Sequence, residues 1–344
     1  MTIAAPAPFS FTADRGDDRR RIDRVVMRHL GATPGLSRTL VQTWVDQGRV
    51  HVDGRPARRP AQRVTAGQAL EVTIGHARPA RARPVPQNVP LAILYEDETL
   101  LVLDKPAGLV VHPSYRQPDG TLLNGLLHHG RHWKDGRPSL VQRLDKHTSG
   151  VLVVARSAQA HARLAQALAE RETSKVYLAV CRGVMRDPHR RLRYALGRDP
   201  QDRRRVIVCD GGRNAVTDVQ RLAVVSSLTL VACRLRTGRT HQIRVHLQAA
   251  GLPLVGDPVY GGDAARRGAV RHPPTPFAHF PRQALHAWRL SFTHPWTRAH
   301  LHFQAPVPDD LRQLLQDAGF GDAGAPSASY APSLPGIGHA DSAT

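Results

Sequence analysis

The sequence predicts an α+β protein, and three features carry that expectation. Short apolar runs of strand character outnumber helical repeats over most of the chain. Two helical repeats stand together near the start and are followed at once by a hairpin pattern. A Pro/Arg-rich stretch then separates this compact beginning from a much longer remainder. With 344 residues the chain has room for two domains with cores of their own, at roughly 100–200 residues each. The expected layout is a flexible arm (1–18), a small α/β unit (19–76), a linker (77–89), a main domain (90–318) and a disordered tail (319–344). The main domain is expected to hold a large mixed, mainly antiparallel sheet with flanking helices.

The first 18 residues are small, contain Pro and then turn charged, which reads as a loose arm. Ile22, Val25, Val26 and Leu30 then recur at helical spacing until the stretch from Gly31 to Gly35 breaks the run. Ser37 can cap a second helix, in which Leu40, Val41, Trp44 and Val45 again recur at three and four. Val50, His51 and Val52 alternate, Asp53-Gly54 is a strong hairpin turn, and residues 69–74 alternate again. Pro79, Pro84, Pro86 and Pro90, interleaved with Arg, favour an extended, semi-rigid spacer. Strands are expected over 91–94, 100–103, 150–155, 176–181 and 228–235. One helix is expected over 158–170 behind Ser157, and another over 241–250, ending at Gly251. From 319 onward Ala, Ser, Gly and Pro dominate, a composition that cannot bury a core.

Composition constrains partners. The formal net charge is +20, which suits a phosphate backbone, where cations neutralise phosphates and release counterions. A GC-rich genome would also raise Arg, and Lys occurs only at 105, 134, 146 and 175. A membrane surface fits less well, because no long apolar run or strongly amphipathic basic helix is present. Cys181, Cys209 and Cys233 are odd in number, far apart and without Cys-x-x-Cys spacing, which points to a reducing compartment. The first 11 residues lack a basic region leading into a long apolar core, so no secretory signal is expected and the cytoplasm is the expected location. His128, His129 and His132 invite a metal reading. Such bases surrounded by Arg more often sit near RNA phosphate or on a loop surface, so no metal is expected.

The chemistry concentrates in Gln142-Arg143-Leu144-Asp145-Lys146-His147-Thr148-Ser149-Gly150. Asp145 lies between two cations on a loop feeding an apolar strand, and neighbouring positive charge keeps a carboxylate ionised. That makes Asp145 a candidate nucleophile; on charge pattern alone, a structural ion pair at a strand entrance is the commoner reading. The full string resembles the motif of the RluA-type pseudouridine synthases, His-Arg-Leu-Asp-x-x-Thr-Ser-Gly. Only Gln142 departs, and an amide keeps hydrogen bonding but cannot titrate as imidazole does.

Further segments resemble the same family in order, across residues 90–305. These are Tyr95-Glu96-Asp97, Asp104 to Leu109, Lys175-Val176-Tyr177, Thr237 to His246, Gly256 to Gly261, and Leu285-His286-Ala287 with His294-Pro295. Upstream, Arg21-Ile22-Asp23, Ser37-Arg38 and Gly48 to Gly54 resemble the alpha-L RNA-binding motif of a ribosomal small-subunit protein. In that motif two helices present a basic face, here supplied by Arg19, Arg20, Arg21, Arg24, Arg28 and Arg38. Arg suits such a face because its planar fork grips phosphate bidentately.

The resemblance implies an isomerase that breaks the ribose C1′ to uracil N1 bond, turns the base and rejoins it through C5. All atoms are retained, so no cofactor is expected, and no Gly-rich phosphate loop, dinucleotide fingerprint or deaminase signature is present. Asp145 would be the catalytic carboxylate and Arg244, on a short helix, its charge partner. Tyr177 would stack on the flipped uracil, although a half-buried sheet tyrosine is the alternative. Arg143 would fill the space the base vacates, and Lys175 would contact RNA. The implied substrate is large-subunit ribosomal RNA. Transfer RNA, or a catalytically silent RNA-binding or ribosome-assembly protein of the same fold, are the alternatives. No partner other than RNA is implied, and a monomer is favoured.

Overall fold

The computed structural model describes residues 8–31, 33, 36–74, 84–113, 117–133, 137–170, 172–202, 205–261, 277 and 280–321. The chain divides into two compact units, Met1–Arg83 and Pro84–Thr344.

In the first unit the paired helical repeats form α1 (Ile22–His29) and α2 (Arg38–Asp46), with the Ser37 side chain accepting the Leu40 N–H as a cap. Strands β1 (Phe9–Thr12), β2 (Val50–Val52), β3 (Arg55–Pro56) and β4 (Ala69–Val72) form a sheet in the order β1-β4-β2-β3. The helices bury Ile22, Val25, Val26, Val41 and Trp44 against Val50, Leu70 and Val72. Asp53 and Gly54 both have positive φ (49° and 75°), as a two-residue primed turn demands.

The expected arm is corrected by this sheet. Residues 8–18 belong to the unit: β1 pairs along β4 from Phe9↔Val72 to Thr12↔Ala69. Asp17 is fully buried, bonded to Arg28 (2.7 Å) and His29 (2.7 Å). Two aromatics on a short polar segment are too faint a local pattern; the strand forms because β4 offers an unpaired edge.

The second unit is one sheet in the order β11-β10-β12-β13-β9-β14-β8-β6-β5, eleven strands among the described residues once β15 on β14 and β7 on β8 are added. Its strands are β5 (Ala92–Glu96), β6 (Leu100–Lys105), β7 (Ser139–Leu140), β8 (Ser149–Ala155), β9 (Ser174–Arg182), β10 (His189–Arg198), β11 (Val206–Val208), β12 (Arg213–Val225), β13 (Leu228–Leu235), β14 (Leu285–Thr293) and β15 (His300–Gln304). All pairs are antiparallel except β14 with β8. Among the described residues four α-helices flank it: α3 (Leu122–His129), α4 (Ala158–Ala167), α5 (Gln242–Ala249) and α6 (Asp309–Asp317).

Helix α3 covers Leu101, Leu103 and Leu152, and α5 covers Ala179, Val231 and Cys233, both on one face. On the other face α4 packs on Val151 and Val153, and α6 sets Leu311, Leu314 and Leu315 against Leu178, Val180 and Leu230. Of the expected linker, residues 77–83 lie outside the described residues. Residues 84–89 run along α3, where the Val85 carbonyl accepts from Asn124 (2.8 Å) and Gln87 accepts from the Gly120 N–H (2.7 Å). Residues 322–344 of the expected tail also lie outside the described residues. No helix among the described residues is long and apolar enough to cross a membrane.

Candidate active site

A cleft of about 1030 Å³ opens on the α3/α5 face of the large sheet, lined by the Gln142–Thr148 segment, β9, the N-terminal turn of α5 and the ends of β10, β11 and β13. Asp145, Arg143, Tyr177, Arg244 and Lys175 all line it, although they are spread from position 143 to position 244 of the sequence.

Asp145 sits just before β8 in a turn closed by the Thr148 N–H bonding to its carbonyl (3.0 Å). The turn is clamped from several sides. Lys105, at the end of β6, is 1% exposed, and its ammonium donates to the carbonyls of Lys146 (3.1 Å), Leu109 (3.2 Å) and Pro106 (2.7 Å). Burial draws its pKa down to about 8 and Arg282 adds repulsion, while Asp145 and Asp104 oppose both. Arg282 donates to the His147 carbonyl (3.2 Å) while gripping Asp310 (2.6 and 2.8 Å), and Gln283 bonds the Thr148 hydroxyl (3.2 Å). Gly150 is required because a Cβ there would sit 2.1 Å from the Ala287 carbonyl oxygen, and its φ is +112°.

Helix α5 aims Arg244 at Asp145. Its Nη1 donates to Asp145 Oδ2 (2.9 Å), while Nε and Nη2 fork onto Asp257 (2.7 and 2.9 Å). Asp257 is fully buried and also accepts the N–H groups of Val259 (2.9 Å) and Tyr260 (3.0 Å). Burial works to raise the Asp257 pKa, but the guanidinium and these N–H groups hold it below the usual carboxylate range. Burial likewise opposes the Arg244 charge, and the two carboxylates outweigh it. Tyr260 lies under the guanidinium, 4.9 Å from its ring centre. Asp145 is 26% exposed, so the one carboxylate facing the cleft shares its cation with a carboxylate that cannot reach solvent.

His241 was not singled out from sequence. It precedes α5 in the left-handed region (φ 55°), uncommon for a non-glycine residue. One ring nitrogen meets the Tyr260 hydroxyl (2.8 Å) and the other stands 3.9 Å from Asp145. Burial lowers its pKa, with Asp145 opposing and Arg244 reinforcing. Asp257 and Tyr260 were visible only as members of a motif; nothing in local pattern tells that a carboxylate 13 residues beyond Arg244 folds back onto it.

Tyr177 projects from β9 into the cleft, half-buried, and burial followed by the Asp145 charge raises its pKa. Arg143 is exposed at the rim. Lys175 differs from expectation in that its ammonium bonds the Leu168 carbonyl (2.8 Å) at the end of α4. Gln142 lines the cleft and donates weakly to the Val151 carbonyl (3.4 Å). In the first unit Arg20 and Arg24 are exposed, while Arg21 and Arg38 both bond buried Asp23 (3.0 Å each). Arg28 is held by Asp14 and Asp17. His128 and His132 bond Arg131, and His129 bonds Glu96 (2.8 Å).

Residues 99–249 match the RNA pseudouridylate synthase family and residues 20–70 the S4 domain. The chain is similar to proteins named ribosomal large subunit pseudouridine synthase D. It is 41% identical to one from Neisseria meningitidis serogroup A over 305 residues, covering 86% of this chain and 78% of the relative. It is also 41% identical to one from Xanthomonas campestris pv. campestris over 298 residues, covering 86% and 88%. Among solved structures, human RNA pseudouridylate synthase domain containing 1 superposes with a TM-score of 0.51 at 26% identity, covering 67% of this chain and 96% of that one. With the relatives aligned over most of its length, the chain belongs to the RNA pseudouridylate synthase family, isomerases that convert uridine in RNA to pseudouridine, and carries an S4 RNA-binding domain ahead of the catalytic one.

Proposed function

We propose that this enzyme modifies uridines of large-subunit ribosomal RNA, with Asp145 as its nucleophile, Arg244 as the cation that pairs with it and aims it, and Tyr177 as the platform for the flipped uracil. The observation that carries the reading is the Asp145–Arg244 bond of 2.9 Å at the floor of an open cleft. A free carboxylate would turn toward water, whereas this one is held by a guanidinium that is itself fixed on Asp257. Asp145 attacks ribose C1′ or uracil C6, or removes a sugar proton. In each case the N1–C1′ bond breaks, C5 takes C1′, the C5 proton leaves and N1 gains one.

The ribosomal substrate is supported by the names of the relatives that align over most of this chain. The N-terminal S4 unit, with Arg20 exposed just ahead of α1 and Arg24 exposed on it, would hold structured RNA through its phosphates. Mapping pseudouridines in ribosomal and transfer RNA from a strain lacking the gene tests the substrate. Loss of sites in large-subunit RNA, restored by the native chain but not by Asp145→Asn, is expected. The variant should bind RNA within about tenfold of the native affinity, or 1.4 kcal/mol. Lost sites confined to transfer RNA would refute the ribosomal assignment, and full restoration by Asp145→Asn would remove Asp145 from the chemistry.

A further inference from the structure

The cleft occupies one face of the sheet, and the opposite face carries its own concentration of charge. Strands β10, β12, β13, β9 and β14 are neighbours, and their sequences contain a single acidic residue, Asp218. Side chains alternate between faces along a strand. Arg191 pairs with Asp218 across β10 and β12, and Asp218 with Arg234 across β12 and β13. Arg193 pairs with Val216, and the Arg236 N–H continues the ladder onto the Val216 carbonyl (3.1 Å). The intervening residues Leu192, Thr217, Val219 and Cys233 are buried on the side that α5 covers. Arg191, Arg193, Arg234 and Arg236 therefore share the far face. With strands about 4.8 Å apart and about 3.4 Å per residue, their backbones occupy a patch of about 10 by 7 Å.

Four guanidinium groups here face one carboxylate. Asp218 accepts from Arg191 (2.5 and 3.2 Å) and Arg236 (2.7 Å). Arg193 is exposed and bonds no group among the described residues. Arg234 is half-buried, and its Nε is enclosed without a hydrogen-bond partner. Burial and then Arg236 depress its pKa, with Asp218 opposing. Clustered like charges repel, and an enclosed donor without an acceptor is costly. Anionic oxygens would relieve both. Basic composition alone explains many arginines but not the exclusion of acids from five adjacent strands.

We propose that Arg191, Arg193, Arg234 and Arg236 form a second RNA-binding surface, gripping the phosphodiester backbone of a structured RNA segment outside the cleft. The proposal rests on RNA being the substrate and extends the contact to the face that catalysis does not use. Planar forks on a flat, twisted sheet suit backbone phosphates and carry no base readout. Asp218 limits the grip by occupying two of the four forks.

The test uses the full chain and an RNA duplex of only G·C pairs, which offers no uridine to the active site. Arg191→Gln/Arg193→Gln/Arg236→Gln should weaken duplex binding at least about tenfold near 0.1 M salt. It should also make the log–log salt slope shallower by about 2 to 3, at about 0.9 per lost phosphate contact. Asp218→Asn should act in the opposite direction and tighten binding severalfold, which damage to the fold would not do. Pseudouridine formation in a short uridine-containing hairpin should stay within about twofold for both variants. Unchanged affinity and slope in the triple variant, weaker binding by Asp218→Asn, or loss of turnover on the short hairpin would each overturn the proposal. Failure of the duplex assay would leave the catalytic reading standing, because that reading is scored by pseudouridine formation.

Discussion

Replacing Arg244 by Lys isolates what the guanidinium fork contributes, because the charge is kept and the geometry is lost. Arg244 makes three charge-assisted bonds, two to Asp257 (2.7 and 2.9 Å) and one to Asp145 (2.9 Å). An ammonium at that depth can satisfy one carboxylate well. Asp257, with no exposure, has no water to replace a lost partner, whereas Asp145 is 26% exposed and can be solvated. Lysine should therefore stay with Asp257 and release Asp145. A hydrogen bond to a charged group contributes about 1.5–3 kcal/mol. If that bond orients Asp145 throughout the reaction, turnover should fall about 10- to 150-fold. Stability should fall by about 1–3 kcal/mol, less than the roughly 3–5 kcal/mol expected for Arg244→Ala, which would strand the buried carboxylate. Release of tritium from C5-labelled uridine under single-turnover conditions reads the chemical step, and filter binding reads affinity. Native turnover in the Lys variant, or a loss confined to affinity, would mean that Arg244 does not hold Asp145 for chemistry.

Gly150→Ala should destabilise the catalytic unit by more than about 3 kcal/mol in urea unfolding, since the added Cβ meets the Ala287 carbonyl at 2.1 Å in a backbone region closed to L-residues; a milder loss would show that β8 and β14 can part. His246 is fully buried with neither ring nitrogen bonded, and burial lowers its pKa to about 4. Its unfolded form takes a proton near pH 6.5, so stability should drop as pH falls from about 6.5 to about 4, and His246→Phe should lessen that drop. An identical acid limb in denaturant titrations of the two proteins would exclude His246 as a cause. Gln142→His should change turnover by less than about tenfold, because the side-chain hydrogen bond Gln142 makes among the described residues is a long one, to the Val151 carbonyl at 3.4 Å; an inactive native protein revived by His would identify the chain as a silenced relative.

The elements legible in sequence are those whose pattern is local. Ser157 caps α4 through the Ala160 N–H (3.1 Å), Asp53-Gly54 turns the first hairpin, and the apolar runs of β6, β8 and β13 are buried strands. Strands β10 and β12 escaped notice because Arg, Asn and Asp on the face away from α5 interrupt their apolar pattern. Strand β14 was hidden for a topological reason. It inserts between β9 and β8 from more than a hundred residues downstream, and no local signal encodes such pairing. For the site, Asp145, Tyr177 and Arg244 were named through the family motif and the fold brings them to one cleft. Lys105, Asp257 and His241 were passed over because their roles depend on what lies behind the turn and the helix. The first unit's Asp23 shows the same limit: two arginines read as free cations prove to share one buried carboxylate.

The Asp257–Arg244–Asp145 arrangement has a consequence for how charge is carried through turnover. At rest one guanidinium stands between two carboxylates, so the trio bears one net negative charge, located at its cleft end. Under the proposed mechanism, whether Asp145 becomes esterified to ribose, bonded to the base, or protonated, it gives that charge up. The trio is then neutral, with Arg244 still matched one to one by Asp257. At no stage is a buried cation left bare, so no counterion, water or side chain has to move in step with bond breaking. The environment can stay rigid while the charge at the cleft end disappears and returns, which is the condition under which preoriented dipoles lower a barrier without first having to reorganise.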